Sequence, residues 1–204
     1  MADPILFKGT VDWSGENPGI ALKEMPDGPF VTAASFFRVV LSPHGRGHAL
    51  ILLQSPQEAT PPPARANYCL HDNEPLARYL VEEFVAHFGT FKGAAGLKGL
   101  AYRRLDRVAS EGDPIGGPYR ETVVSGDLTV HLTWNGLTEP FCFALPPDKS
   151  ATGRHHMPSL FVPAGDATVM VNGRVLPGKP VPRDIAGRTI TTAMLAFSET
   201  WICS

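Results

Sequence analysis

Little in this chain announces a function outright. It has three cysteines in 204 residues. Cys69, Cys142 and Cys203 are an odd number spread far apart, which fits reduced thiols used as small apolar fillers better than a disulfide framework. No run of Lys and Arg is denser than Tyr102-Arg103-Arg104 with Arg107 nearby, and the net charge is −2. The electrostatic footprint of a nucleic-acid binder is therefore missing. No stretch of about 18 apolar residues is available to cross a membrane as a helix. The start, Met1-Ala2-Asp3-Pro4, has no basic region leading into an apolar run, so the expectation is a cytoplasmic protein with no membrane partner.

Cofactor signatures are equally scarce. Gly45-Arg46-Gly47 lacks the third glycine of a dinucleotide fingerprint, and Gly93-Ala94-Ala95-Gly96-Leu97-Lys98 lacks the Gly-Lys-Ser/Thr ending of a phosphate loop. No His-x-His, Cys-x-x-Cys or His-Glu-x-x-His spacing occurs, so neither a metal nor another cofactor is expected. Charged residues make up 19 % of the chain, below the usual quarter, against 43 % hydrophobic. That balance predicts a folded chain with much buried surface, taken as a single domain over 1–204.

What is abundant is turn and strand signal, with glycine and proline at 20 each. Ala33 to Leu41 and Ala49 to Leu53 are short apolar runs separated by Ser42-Pro43-His44-Gly45-Arg46-Gly47, the pattern of a hairpin. Pro61-Pro62-Pro63 cannot join a sheet interior and reads as a stiff exposed connection. Leu128, Val130, Leu132 and Trp134 alternate with polar residues as a half-buried strand does. Asn135-Gly136 and Asn172-Gly173 read as two-residue turns, the first leading into Phe141, Phe143 and Leu145. Thr189 to Ile202 has apolar residues of both parities and reads as one long strand covered on both faces, at the centre of a sheet.

One helix is legible. Asp72 or Asn73 can cap it, Pro75 suits its first turn, Glu74 complements its dipole and Gly89 is a natural stop. Leu76, Leu80, Phe84 and Phe88 recur every fourth residue and form an apolar stripe. The predicted fold is thus mainly β with one long helix: an antiparallel β-barrel, or a highly curved sheet, of about nine or ten strands with the helix packed against it as a plug or side cover.

Candidate functional residues follow from chemistry alone. Glu199 shares strand parity with Leu195, Phe197 and Trp201, which places a carboxylate among apolar side chains; desolvation would raise its pKa and suit it to general acid or base work, unless Arg183 or Arg188 pairs with it. Arg154-His155-His156 is the densest polar cluster, and either histidine could act as a general base. Adjacent residues of an extended chain point opposite ways, so the two cannot readily share a metal. Arg154 or Arg183 could clamp an anionic group through the guanidinium fork, with a loop-ordering Arg183–Asp184 pair as the plainer alternative. Trp134, Trp201, Phe141 and Phe143 could line a pocket or simply fill a core. Cys69 and His71, just before the helix, make an imaginable nucleophilic pair, against a plain packing role.

The functional expectation is a small-molecule-binding β-barrel with a central pocket for a hydrophobic or aromatic carboxylate. It either binds that ligand or acts on it as a cofactor-independent lyase or isomerase, with Glu199 and His155 or His156 as acid and base. The alternative is a non-enzymatic homodimeric scaffold whose barrel is filled.

Overall fold

The computed structural model describes residues 6–203, so Met1-Ala2-Asp3-Pro4 lies outside the described residues. The chain opens with β1 (Thr10–Glu16) and β2 (Gly19–Lys23), then the hairpin of β3 (Phe30–Leu41) and β4 (Gly47–Leu53). The proline-rich connection leads to β5 (Tyr68–His71), the helix α1 (Glu74–Glu83), β6 (Ala101–Arg104) and β7 (Arg107–Gly112). Next come β8 (Tyr119–Ser125), β9 (Leu128–Leu137), β10 (Phe141–Leu145), the long β11 (His155–Val171) and the short β12 (Arg174–Val175). A small hairpin of β13 (Pro182–Ile185) and β14 (Arg188–Thr191) precedes β15 (Ala193–Ala196) and β16 (Glu199–Cys203).

Fourteen strands form one curved sheet whose path is β6-β5-β4-β3-β1-β16-β11-β9-β8-β7. Several positions on this path hold two strands in line. β1 and β2 both pair with β3, and β15 and β16 both pair with β11. The sheet curls far enough that its two ends, β6 and β7, are consecutive in the chain. Between them the Leu105 N–H donates to the His71 carbonyl at 2.8 Å and the Asp106 N–H to the Val124 carbonyl at 2.7 Å. Two linking residues, rather than a ladder, thus join the ends, and the result is a large curved sheet and not a clean barrel.

Side chains fill the space this sheet encloses. Phe36, Leu50 and Leu70 from one wall meet Val123, Leu132 and Trp134 from the other in a single apolar cluster. At one end Arg38, the next inward position on β3 after Phe36, donates across the interior to Glu121 of β8 at 3.1 Å. The Tyr119 hydroxyl donates to the same carboxylate at 2.9 Å, and Glu121 is 0 % exposed. Arg38 also pairs with Glu16. A buried carboxylate is tolerable only with such partners.

The helix covers the outer face instead of plugging the inside. Leu76, Leu80 and Phe84 pack on Trp13, Phe37 and Ile51 in a second cluster, each buried side chain contributing roughly 1.5 to 3 kcal/mol of transfer free energy before entropy is subtracted. Asn73 is the cap, its Oδ1 accepting from the Leu76 N–H at 3.2 Å. The helix is shorter than its periodicity suggests. It stops at Glu83; Phe84 adopts φ −128° and a 3₁₀ turn follows over Val85–His87. Packing outweighs the four-residue repeat here, because Phe84 meets Trp13 and Trp201 edge-on while Phe88 stacks on Trp201 at 5.7 Å.

Two further expectations are corrected. Asn135-Gly136 does not turn the chain: it lies inside β9, facing β11 with the register kept on either side, Asn135 opposite Asp166 and Leu137 opposite Ala164. Gly136 takes φ +60°, a left-handed conformation that favours glycine, and it does so without breaking the strand. Asn172-Gly173, at φ 49° and 78°, does form the expected tight turn, between β11 and β12. The final run, read as one strand, is three. Thr192 interrupts it by donating its hydroxyl to the Ala21 carbonyl at 2.5 Å, and Phe197-Ser198 interrupts it again. Its last two pieces do lie centrally, between β1/β2 and β11.

Candidate ligand-binding cleft

A defect in the sheet creates the site. Pro18 has no N–H for the ladder, and the chain breaks between β1 and β2 at Asn17-Pro18. On the neighbouring strand the break falls at Phe197-Ser198. Met194 pairs with Gly19 and Glu199 with Gly15, so five steps on one strand face four on the other. That extra residue is a bulge, which reverses the facing of everything beyond it. Leu195 and Phe197 therefore point to the enclosed interior, whereas Trp201 joins the helix-covered cluster outside. The simple alternation read from sequence put Glu199 on the same face as Leu195 and Phe197; the bulge separates them and turns Glu199 toward the flank.

There a cleft of about 290 Å³ opens between the broken strands, the segment after the helix and the β13–β14 hairpin. Glu199 and Asn17 lie on its sheet side, Phe88 and Phe91 come from beyond the helix, and Arg183 comes from the hairpin. The cavity is thus on the outer flank, not in the centre of the sheet where the ligand pocket was expected.

Glu199 is 3 % exposed. Its Oε1 accepts from the Trp201 indole N–H at 2.7 Å and from Asn17 Nδ2 at 3.3 Å. Asn17 is itself oriented by the Ser35 hydroxyl, which donates to Asn17 Oδ1 at 2.6 Å. Both bonds land on one oxygen, leaving Oε2 for an occupant of the cleft. Burial raises the Glu199 carboxyl from 4.5 to about 7, against the opposing pull of its two donors and of Arg183. An acid held there is part protonated near neutrality, so it can give or take a proton.

Arg183 is half-buried at the same cleft. Among the described residues no ion pair or hydrogen bond engages its guanidinium, and burial pushes it below the usual arginine value while Glu199 opposes. Asp184 does not pair with it; that carboxylate accepts instead from the Thr189 hydroxyl at 2.6 Å. Arg188 is turned elsewhere, over the Phe141 ring at 4.7 Å. Lys149 adds a second cation at the rim.

The other sequence candidates are placed away from this cleft. His155 is fully buried, with Nδ1 on the Thr152 hydroxyl at 2.7 Å and Nε2 on Asp12 Oδ2 at 2.8 Å. His156 lies on the opposite face of β11, its ring 5.2 Å from that of Phe7. Arg154 binds Glu83 at 2.6 Å. Trp134 sits in the interior cluster and donates to the Gly19 carbonyl at 3.1 Å. Phe141 and Phe143 stack on each other and meet Phe161. Only Phe161 of these three lines the cleft.

Cys69 is buried and its thiol is pushed up to about 12, which removes it as a nucleophile. Asp72, the alternative cap, holds the His48 imidazole at 2.7 Å.

Asn17, Ser35 and Lys149 escaped the sequence reading. The one available signal was Asn17-Pro18-Gly19, a break between two short strand-like runs.

No protein family model, curated protein or solved structure is similar to this chain. The cleft itself must carry the functional argument.

Proposed function

We propose that the flank cleft binds a small hydrophobic or aromatic carboxylate, with Arg183 holding its anionic group and Glu199 exchanging a proton with it. The observation that carries this reading is one half-buried guanidinium that makes no ion pair or hydrogen bond among the described residues, in the same cleft as the buried carboxyl group of Glu199, whose burial favours the protonated form. Leaving an arginine desolvated and unpaired costs stability, and an anionic ligand supplies the missing partner. Aromatic and aliphatic lining from Phe88, Phe91, Phe161 and Met157 suits an apolar body of the size the cavity admits.

Chemistry at this site is proton transfer: Oε2 of ionised Glu199 takes a proton from the carbon next to the clamped carboxylate, the C–H electron pair passes into that carboxylate as an enediolate whose charge Arg183 offsets, and return of the proton, or loss of a leaving group from the next carbon, completes an isomerase or lyase step. No helix of the described residues is long and apolar enough to cross a membrane. A cytoplasmic setting belongs to the same proposal and is supported by Cys69 and Cys142, which form no disulfide.

A second reading, a non-enzymatic homodimeric scaffold, is favoured by the filled interior. One experiment separates the two. A thermal-shift series with small aromatic carboxylates and their uncharged amides is expected to raise the melting temperature progressively, with the logarithm of acid concentration above saturation, with no effect of the amides and none in Arg183→Met. A series without any shift would leave the scaffold as the better account.

A further inference from the structure

A second bulge brings together side chains that the sequence keeps far apart. Thr10 and Val11 of β1 pair with Cys203 and Ile202, but the register then skips so that Trp13 faces Trp201, and Asp12 is the extra residue. Bulges re-aim side chains. Here the Asp12 carboxylate is aimed at the row where His155 of β11 pairs directly with Cys203 of β16. Three neighbouring strands thus contribute an oxygen, a nitrogen and a sulfur ligand atom, all within 4.8 Å of one another.

We infer that Asp12, His155 and Cys203 form a binding site for a divalent metal ion of the zinc class, with one coordination position left open. The donor chemistry suits that class: thiolate, imidazole and carboxylate are the usual zinc ligands, and three of them plus a water complete a tetrahedron. Donor atoms around such an ion lie roughly 3.3 to 3.6 Å apart. The widest separation here closes by about 1 Å through side-chain rotation, and His155 and Asp12, at 2.8 Å, move slightly apart to admit the ion.

The surroundings support the ligands as metal sites require. Thr152 meets the other ring nitrogen of His155, and its hydroxyl can donate or accept, so it serves either tautomer. Arg154, a neighbouring cation, is already committed to Glu83.

Charge and protons balance. Cys203 releases its thiol proton to solvent. The proton His155 directs at Asp12 moves to Nδ1, where Thr152 accepts it, and Nε2 turns its lone pair to the ion. Carboxylate and thiolate then neutralise the two positive charges.

A cysteine-dependent hydrolase triad is the competing use of the same three residues. It needs the histidine to present one nitrogen to the thiol and the other to the carboxylate. His155 gives Nε2 to Asp12 and Nδ1 to Thr152, which is not that arrangement.

The test is titration of the metal-free protein with cobalt(II) chloride, followed by absorbance. One cobalt per chain is expected, with a thiolate-to-metal charge-transfer band in the near ultraviolet and visible bands of a tetrahedral ion, all abolished by zinc. Cys203→Ser, a near-isosteric change at a half-exposed position, is expected to lose the charge-transfer band with its circular dichroism unchanged. Asp12→Asn should weaken affinity at least tenfold. Absence of the band in the native protein, or its persistence in Cys203→Ser, would overturn the assignment.

Discussion

Trp201 donates its indole N–H to the carboxylate of Glu199, two residues earlier on the same strand, at 2.7 Å. This places an acid and its donor side by side on the cleft face, where the donor's ring also stacks on Phe88. The bond favours ionised Glu199, yet burial outweighs it and holds the carboxyl at about 7.

A pH dependence of stability follows. The unfolded chain loses this proton near 4.5 and the folded chain near 7, so between those values the unfolded state binds fewer protons. The contribution of Glu199 to stability is therefore neutral below 4.5, falls as pH rises, and levels off above about 7 at a cost on the order of 3 kcal/mol. Glu199→Gln retains an acceptor for Trp201 and should flatten this decline, which denaturant titrations across the interval would measure.

Arg183→Met should leave the fold intact, because it replaces a desolvated guanidinium that no described residue holds by a hydrogen bond or ion pair and that only the charge of Glu199 favours. Affinity for a carboxylate ligand should fall at least tenfold, about 1.4 kcal/mol or more. Equal affinity in calorimetric titrations of the two proteins would remove Arg183 from the site.

Arg38→Met should cost on the order of 3 kcal/mol, since it strands the buried Glu121 charge at one end of the enclosed interior. The double variant Arg38→Met/Glu121→Gln should recover much of the loss. Urea unfolding of both variants checks this, and comparable losses in the two would show that the ion pair is not what matters there.

Asn73→Ala should lower stability by about 1 to 2 kcal/mol. Asn73 Nδ2 also donates to the carbonyls of His44 and Arg46 at 2.8 and 3.1 Å, so the substitution loosens the β3–β4 turn together with the helix start. Faster amide exchange in both segments is the expected signature.

Local signals in the sequence identified the elements well. Period-two alternation marked β9, the glycine turn between β11 and β12 was evident as Asn172-Gly173, and the capping pattern located the start of α1. Glu199 and Arg183, picked for their chemistry, do share a cleft. What stayed hidden depended on register. One extra residue at Ser198 turns Glu199 away from Leu195, and one at Asp12 brings that carboxylate to His155 and Cys203; no composition or periodicity reports such insertions, because they are defined only against the partner strand. The same holds for Asn135-Gly136, whose turn-like residues lie inside a strand, Gly136 in a left-handed conformation.

The most direct test of the cleft is calorimetric titration of a small aromatic carboxylate into the native protein at pH values below and above 7. The account predicts binding that weakens as pH rises through about 7, when Glu199 ionises and repels the anion, and that loses this dependence in Glu199→Gln. Binding with the same pH profile in both proteins, or no binding at any pH, would contradict it.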